Sequence, residues 1–336
     1  MRERVLCFNT LAGRMPPRPF PRPEATRERI AVQSASVPPM PIPSSHHVGA
    51  RLADGWREHV PVSWLAGWRP VRLELEGGDT EVVVMGEGPP LLLLPPMPGI
   101  KESMLRLAPL LARGHRVVIA DLRVRFDGAP RWETLLADLE RVTHAYAPGR
   151  AIVVGHSLGG ALAQRWALEH PERVEALVLS SSFARVRSER GTFLARWVEQ
   201  PLVLATQRWL PPGAALALAR TCVANGRWVY DPACDDAVLE LVRFAIATLA
   251  PAEAVTLLRL ARALDLRADL PRIAVPTLVV SGTRERAWIW SAAAELTELI
   301  PGAARRSLAG VGHLHPLSAP ERLVEAIDEW RAARRA

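Results

Sequence analysis

A chain of 336 residues, about half of them apolar, is long enough to bury a sizeable core. One α/β domain with an inserted subdomain is its economical organisation. The net charge of +7 does not point to nucleic acid, because the basic residues are scattered rather than gathered on one run or helix face. Lys101 is the sole lysine, which fits an arginine-heavy coding bias better than a phosphate-binding device. Cys7, Cys222 and Cys234 form an odd set without C-x-x-C spacing, which argues against a disulfide framework or a zinc site and fits a reducing compartment. With no apolar h-region at the start and no stretch long and apolar enough to span a bilayer, the expectation is a soluble, cytoplasmic protein.

Residues 1–68 read as a Pro/Arg-rich, largely disordered N-terminal extension, since the run from Pro16 to Pro43 has neither helical nor strand periodicity. Its last part, from Arg51 to Trp68, carries Trp56, Trp64 and Trp68 and is expected to pack on the domain. Val71 to Leu75 alternates at period two, turns at Gly77-Gly78 and continues as Glu81 to Met85, the pattern of an edge hairpin. Leu91 to Leu94 is a continuous apolar run expected of a central strand, and Arg116 to Ala120 is the next strand. Leu135, Leu139 and Val142 mark a helix.

Ile152 to Val154 forms another buried strand, followed at once by Gly155-His156-Ser157-Leu158-Gly159 and a helix that Pro171 ends. This is G-x-S-x-G between strand and helix, where neighbours without a Cβ let the two elements approach and the turn lifts Ser157 clear of the sheet. Ala176 to Leu179 is a strand closed by Ser180-Ser181-Ser182, which offers no acid. Phe183 to about Leu270 breaks the alternation with helical runs rich in Leu, Ala, Arg and Trp. The sheet resumes at Pro276 to Gly282, Ser291 reads as the start of a helix, and a short strand near Arg306 to Leu308 leads to Gly310-Val311-Gly312-His313. Ser318 to Glu321 has the form of a capping box for a last helix bearing Leu323, Ile327 and Trp330.

From about Val71 to the C-terminus the chain resembles the α/β-hydrolase fold family. The resemblance implies a mostly parallel central sheet with helices on both faces and an inserted helical cap. The core would then comprise residues 69–182 and 271–336 and the cap residues 183–270, with Trp197, Trp209, Trp228 and Phe244 as candidates to line its cavity. It also implies the order nucleophile, acid, histidine. Ser157 is the nucleophile, Glu285 stands where relatives usually have an aspartate in G-x-x-D, and His313 ends a loop similar to the family's Gly-x-Gly-His. His315 is a competitor that lacks the preceding glycine. Asp121 matches a position that is generally structural in the family.

Relatives usually carry His-Gly where this chain has Pro95-Pro96, and the residue after that pair donates to the oxyanion hole. Proline has no N–H, so within Pro95 to Pro98 Met97 alone can donate. Leu158, after the serine, is the second donor. The implied activity is serine hydrolysis of an ester-like bond in a small, apolar substrate, of the carboxylesterase type, without metal or organic cofactor. A serine at this position argues against dehalogenase and epoxide-hydrolase chemistry, which on this fold uses an aspartate. The alternative is a non-catalytic, partner-binding protein similar to the maspardin-like branch of the fold. It rests on the Leu93 to Gly99 run, Ser182-Phe183 and Val229-Tyr230-Asp231-Pro232. A protein partner would then dock on the N-terminal extension or the cap.

Overall fold

The computed structural model describes residues 54–186, 210–224 and 231–335. The expectations for the Pro-rich tail and for Trp197, Trp209 and Trp228 fall outside these residues. Eight strands form one sheet: β1 (Pro70–Leu75), β2 (Gly78–Met85), β3 (Pro90–Leu94), β4 (Arg116–Ala120), β5 (Ala151–His156), β6 (Val174–Ser180), β7 (Thr277–Gly282) and β8 (Ala304–Leu308). Their order across the sheet is β1-β2-β4-β3-β5-β6-β7-β8. The β1–β2 and β2–β4 pairs are antiparallel, and every later pair is parallel.

The apolar runs fall where a sheet covered on both faces needs them. β5 and β7 are buried along their whole length, and Leu91 to Leu94 of β3 are buried as well. β3 and β5 hold the middle of the sheet and β7 lies next to its edge strand, β8, which exposes Arg306 and Ser307. Two arginines and a short length suit an edge strand, because they discourage further pairing.

The described helices are α1 (Leu107–Leu111), α2 (Trp132–Tyr146), α3 (Leu158–Glu169), α4 (Pro212–Ala224), α5 (Asp236–Thr248), α6 (Pro251–Ala263), α7 (Ala287–Leu299), α8 (His315–Ser318) and α9 (Pro320–Arg335). α3 packs against β3, β5 and β6, and its Trp166 is fully buried. α4, α5 and α6 lie in the long connection between β6 and β7. α5 packs on the 3-10 turn Asp54–His59, where Trp56 is buried and the His59 ring lies 5.2 Å from that of Phe244. No single helix among the described residues is long and apolar enough to cross a membrane.

Two helix starts differ from the sequence reading. α7 begins at Ala287, not Ser291, and the Ser291 hydroxyl donates back to Ala287 O at 2.7 Å. A serine inside a helix satisfies itself this way without capping anything. The capping box at Ser318 does not form either. α9 starts at Pro320, and Ser318 instead ends α8 and donates its hydroxyl to Asp231 Oδ2 at 3.2 Å.

Candidate active site

Ser157 stands between the C-terminal end of β5, inside the sheet, and the first residue of α3. Its backbone angles are φ 52° and ψ −115°, a conformation that side-chain-bearing residues rarely adopt. Such a residue costs on the order of 1–3 kcal/mol and persists because its surroundings hold it. Here the Ser157 N–H donates to Ser180 O at 2.9 Å, and the Ser157 carbonyl accepts from Ser182 Oγ at 3.0 Å and from the Gly160 N–H at 3.0 Å. The glycines are there for space. A Cβ on Gly155 would lie 2.4 Å from Gly159 O, and one on Gly159 would lie 2.2 Å from Leu94 O and 2.6 Å from Pro95 O.

That last contact sets the elbow directly against the loop leaving β3. Gly99 N–H closes a turn onto Pro96 O at 2.6 Å, and Met97 at its crest is exposed. No acceptor among the described residues takes the Met97 N–H. Leu158 opens α3, so its N–H has no partner within the helix. The two N–H groups named from the sequence thus belong to touching segments at the same end of β3 and β5.

His313 and Glu285 lie on neighbouring loops after β8 and β7. The two oxygens of Glu285 are 3.3 and 3.1 Å from His313 Nδ1. The Glu285 carboxylate is almost wholly buried and also accepts from Ser181 Oγ. Burial works to raise its pKa, but the charge and hydrogen bond of His313 together with the Ser181 bond outweigh it and hold the carboxyl below its ordinary value. The two loops are zipped together. The Arg284 N–H donates to Val311 O at 3.0 Å, the Gly310 N–H donates to Thr283 Oγ1 at 2.9 Å, and a Cβ on Gly282 would strike Val311 O at 2.2 Å.

His156 connects these loops to the elbow. Its Nε2 donates to His313 O at 2.8 Å, and its ring lies 4.9 Å from the His313 ring. Among the described residues Ser157 Oγ forms no hydrogen bond of its own. The His313 loop is therefore tied to the Ser157 turn through the residue that precedes Ser157.

His315, the competitor, is fully buried with both ring nitrogens engaged. Nδ1 donates to Gly312 O at 2.9 Å and Nε2 faces Ser180 Oγ at 2.7 Å. Ser180 Oγ also lies 3.0 Å from His156 Nδ1, so its single proton serves one of the two rings at a time. Burial pushes the pKa of both histidines down, that of His156 well down. Sequence reasoning passed over this serine triplet because it offers no acid. Each member nonetheless holds a different part of the site: Ser180 the histidine pair, Ser181 the Glu285 carboxylate and Ser182 the Ser157 carbonyl.

Asp121 sits behind the β3 loop, fully buried with Lys101. The Lys101 N–H donates to Asp121 Oδ1 at 2.8 Å, and Lys101 Nζ reaches Asp121, Glu81 and Glu102 at 3.1, 2.7 and 3.0 Å. This buried cluster anchors the segment that follows the Met97 turn. Among the described residues no group of three or more His, Cys, Asp or Glu is placed to hold a metal ion.

A mostly parallel sheet with flanking helices, and a serine on a strained strand-to-helix turn beside its central strands, define the α/β-hydrolase architecture. The alpha/beta hydrolase fold profile matches residues 89–320, and the chain belongs to that family. It is 30% identical over 267 residues to the polyketide synthase ThaQ of Burkholderia thailandensis, covering 72% of this chain but 12% of the synthase. It is 31% identical over 210 residues to the pimeloyl-[acyl-carrier protein] methyl ester esterase of Nitrosomonas europaea, covering 60% of this chain and 80% of the esterase. In three dimensions it is similar to the enol-lactonase of Burkholderia xenovorans LB400. That match has a TM-score of 0.61 at 21% identity and covers 78% of this chain and 100% of the lactonase. The chain spans well under half the length of the first curated relatives it matches, the synthase and a fluoroacetate dehalogenase of Burkholderia sp, of which it covers 38% at 36% identity over 114 residues.

Proposed function

We propose that this chain is a serine hydrolase that cleaves an ester-like bond of a small, apolar substrate through an acyl-enzyme. The observation that carries the proposal is the join between two parts. Ser157 is held at φ 52° on the elbow, and the His313–Glu285 pair is fastened to that elbow by the 2.8 Å bond from His156. In this reading His313, oriented through Nδ1 by Glu285, takes the Ser157 proton as Oγ attacks the carbonyl. The Met97 and Leu158 N–H groups receive the oxyanion, and collapse expels the alcohol with the proton held by His313. Water activated by the same histidine then releases the acid.

The carboxylesterase class is favoured because the relatives matched over 80% of their own length include a methyl ester esterase. The insertion between β6 and β7 is read as a cap over the serine, covering roughly residues 183–270. A cytoplasmic setting is part of the same reading, supported by the buried free thiol of Cys234.

The test is labelling with a fluorophosphonate probe beside Ser157→Ala and His313→Ala, followed by p-nitrophenyl esters of graded chain length. Stoichiometric labelling that vanishes in both variants supports the proposal. A folded wild-type protein that neither labels nor turns over any ester in the series would transfer weight to the partner-binding alternative.

A further inference from the structure

Three backbone groups of Gly312 and His313 are each gripped by a buried side chain. The Gly312 N–H donates to Asp231 Oδ2 at 2.8 Å, the Gly312 carbonyl accepts from His315 Nδ1 at 2.9 Å, and the His313 carbonyl accepts from His156 Nε2 at 2.8 Å. Two of these clamps belong to the core. His156 is the end of β5 and His315 follows the loop itself. Asp231 is different, because it comes from the connection between β6 and β7, 81 residues before the glycine it holds.

Asp231 is fully buried, and both of its oxygens are in use. Oδ1 accepts the Ala233 N–H at 2.8 Å, which fixes the side chain to its own turn. Oδ2 accepts both Gly312 N–H and Ser318 Oγ, which spans the loop from the residue before His313 to the end of α8. The Asp231 carbonyl accepts the Cys234 N–H at 3.0 Å, and Asp235 then caps α5 by accepting the Val238 N–H at 2.9 Å. A continuous set of bonds therefore runs from the inserted helices to the peptide that carries the base.

From this we infer that Asp231, carried by the connection between β6 and β7, is a positioning residue for His313. The inference rests on the hydrolase reading of His313. A buried charge-assisted bond to a backbone N–H is short and directional, and the Gly312 peptide has no side chain of its own to fix it. Losing that bond frees the peptide next to the imidazole while leaving Glu285, Ser157 and the sheet in place. A misplacement near 1 Å costs on the order of 10²-fold in rate.

The experiment compares Asp231→Ala and Asp231→Asn with Asp235→Ala, which weakens the same insertion at a helix cap outside the His313 clamp. Two readouts are taken on each folded protein: kcat and KM with an ester substrate, and the downfield proton resonance of the imidazole Nδ1–H that faces Glu285. The latter is assigned by its loss in His313→Gln. For Asp231→Ala we expect about a 10²-fold fall in kcat with KM within a few-fold, and loss or broadening of the resonance. Asp231→Asn, which keeps an acceptor oxygen, is expected to fall between wild type and Asp231→Ala. Asp235→Ala is expected to lose stability while keeping both readouts. Unchanged kcat and an intact resonance in folded Asp231→Ala would overturn the inference, as would equal losses in Asp235→Ala. If wild type shows no Ser157-dependent turnover, the hydrolase reading fails on its own, and the resonance still decides whether Asp231 holds His313.

Discussion

Ser181 donates its hydroxyl to Oε1 of Glu285, the same carboxylate whose oxygens lie 3.3 and 3.1 Å from His313 Nδ1. The acid is thus shared between a strand-end serine and the histidine. Ser181 reaches it from a backbone at φ 46°, a second strained serine at the mouth of the sheet.

Removing that donor has a pH signature. Glu285 has a folded pKa below its ordinary value, so its contribution to stability is complete above the unfolded pKa near 4.3 and is lost as pH falls through the lowered folded value. Ser181→Ala removes one of the bonds that lower it, and a hydrogen bond to a charged group contributes about 1.5–3 kcal/mol. Urea denaturation should show the variant less stable by up to that amount at neutral pH, with the gap closing at acid pH. A gap that persists unchanged at a pH below the lowered folded pKa would show that the loss comes from something other than the carboxylate.

Crowding at the elbow gives an internal contrast between two glycines. A Cβ at Gly159 would meet Leu94 O at 2.2 Å, a backbone atom of a central strand that cannot move aside, whereas a Cβ at Gly213 in α4 meets nothing within 4 Å. Overpacking against a fixed backbone costs about 1–3 kcal/mol or more, so Gly159→Ala should melt well below wild type or fail to fold. Gly213→Ala should be neutral or gain about 0.4–1 kcal/mol by restricting the unfolded chain. Thermal melts of the two variants decide this, and similar melting temperatures would refute the packing account.

Much of this arrangement was legible in the sequence, for physical reasons that also mark where legibility stops. Buried parallel strands need unbroken apolar runs, so β3, β5 and β7 announce themselves. A strained serine needs small neighbours, so the elbow does too. The serine triplet and Asp231 were not legible as parts of the site, because a short polar side chain at a strand or turn end carries no periodicity that says what it faces. The capping box at Ser318 was a sound local pattern overridden by a tertiary partner, the Asp231 carboxylate arriving from 87 residues away. Ser291 had the composition of a cap but bonds backward within α7. At Ser318 local propensity lost to a tertiary contact, whereas Ser291 satisfies itself inside its own helix.

The oxyanion role proposed for Met97 belongs to a backbone group, so its test changes the backbone and spares the side chain. Met97→Leu keeps the N–H and should leave kcat within a few-fold. Met97→Pro deletes it, and losing one oxyanion donor costs about 3 kcal/mol in the barrier, or about 10²–10³ in kcat. Single-turnover ester hydrolysis, with circular dichroism to confirm folding, separates the two. Equal activity in both variants would remove Met97 from the oxyanion hole.

The chain's single lysine sits among three carboxylates, and its removal should show most strongly in alkaline solution. Burial first, and then the Glu102 charge, raise the Asp121 carboxyl to about 7 against the pull of Lys101. Among the described residues Glu102 Oε2 has no hydrogen-bond partner, which adds to the unbalanced negative charge. A carboxyl raised in the folded state keeps a proton that the unfolded chain has released, so its contribution to stability falls as pH climbs from about 4 to about 7. Without the ammonium group the carboxylates are pushed further in the same direction. Lys101→Met should therefore cost about 3–5 kcal/mol at about pH 8 and distinctly less at about pH 5, where protonation neutralises the cluster. Urea titrations at the two pH values check the sign. A deficit that grows on acidification would mean that Lys101 acts through its packing and not as the counter-charge that pins the segment behind Met97.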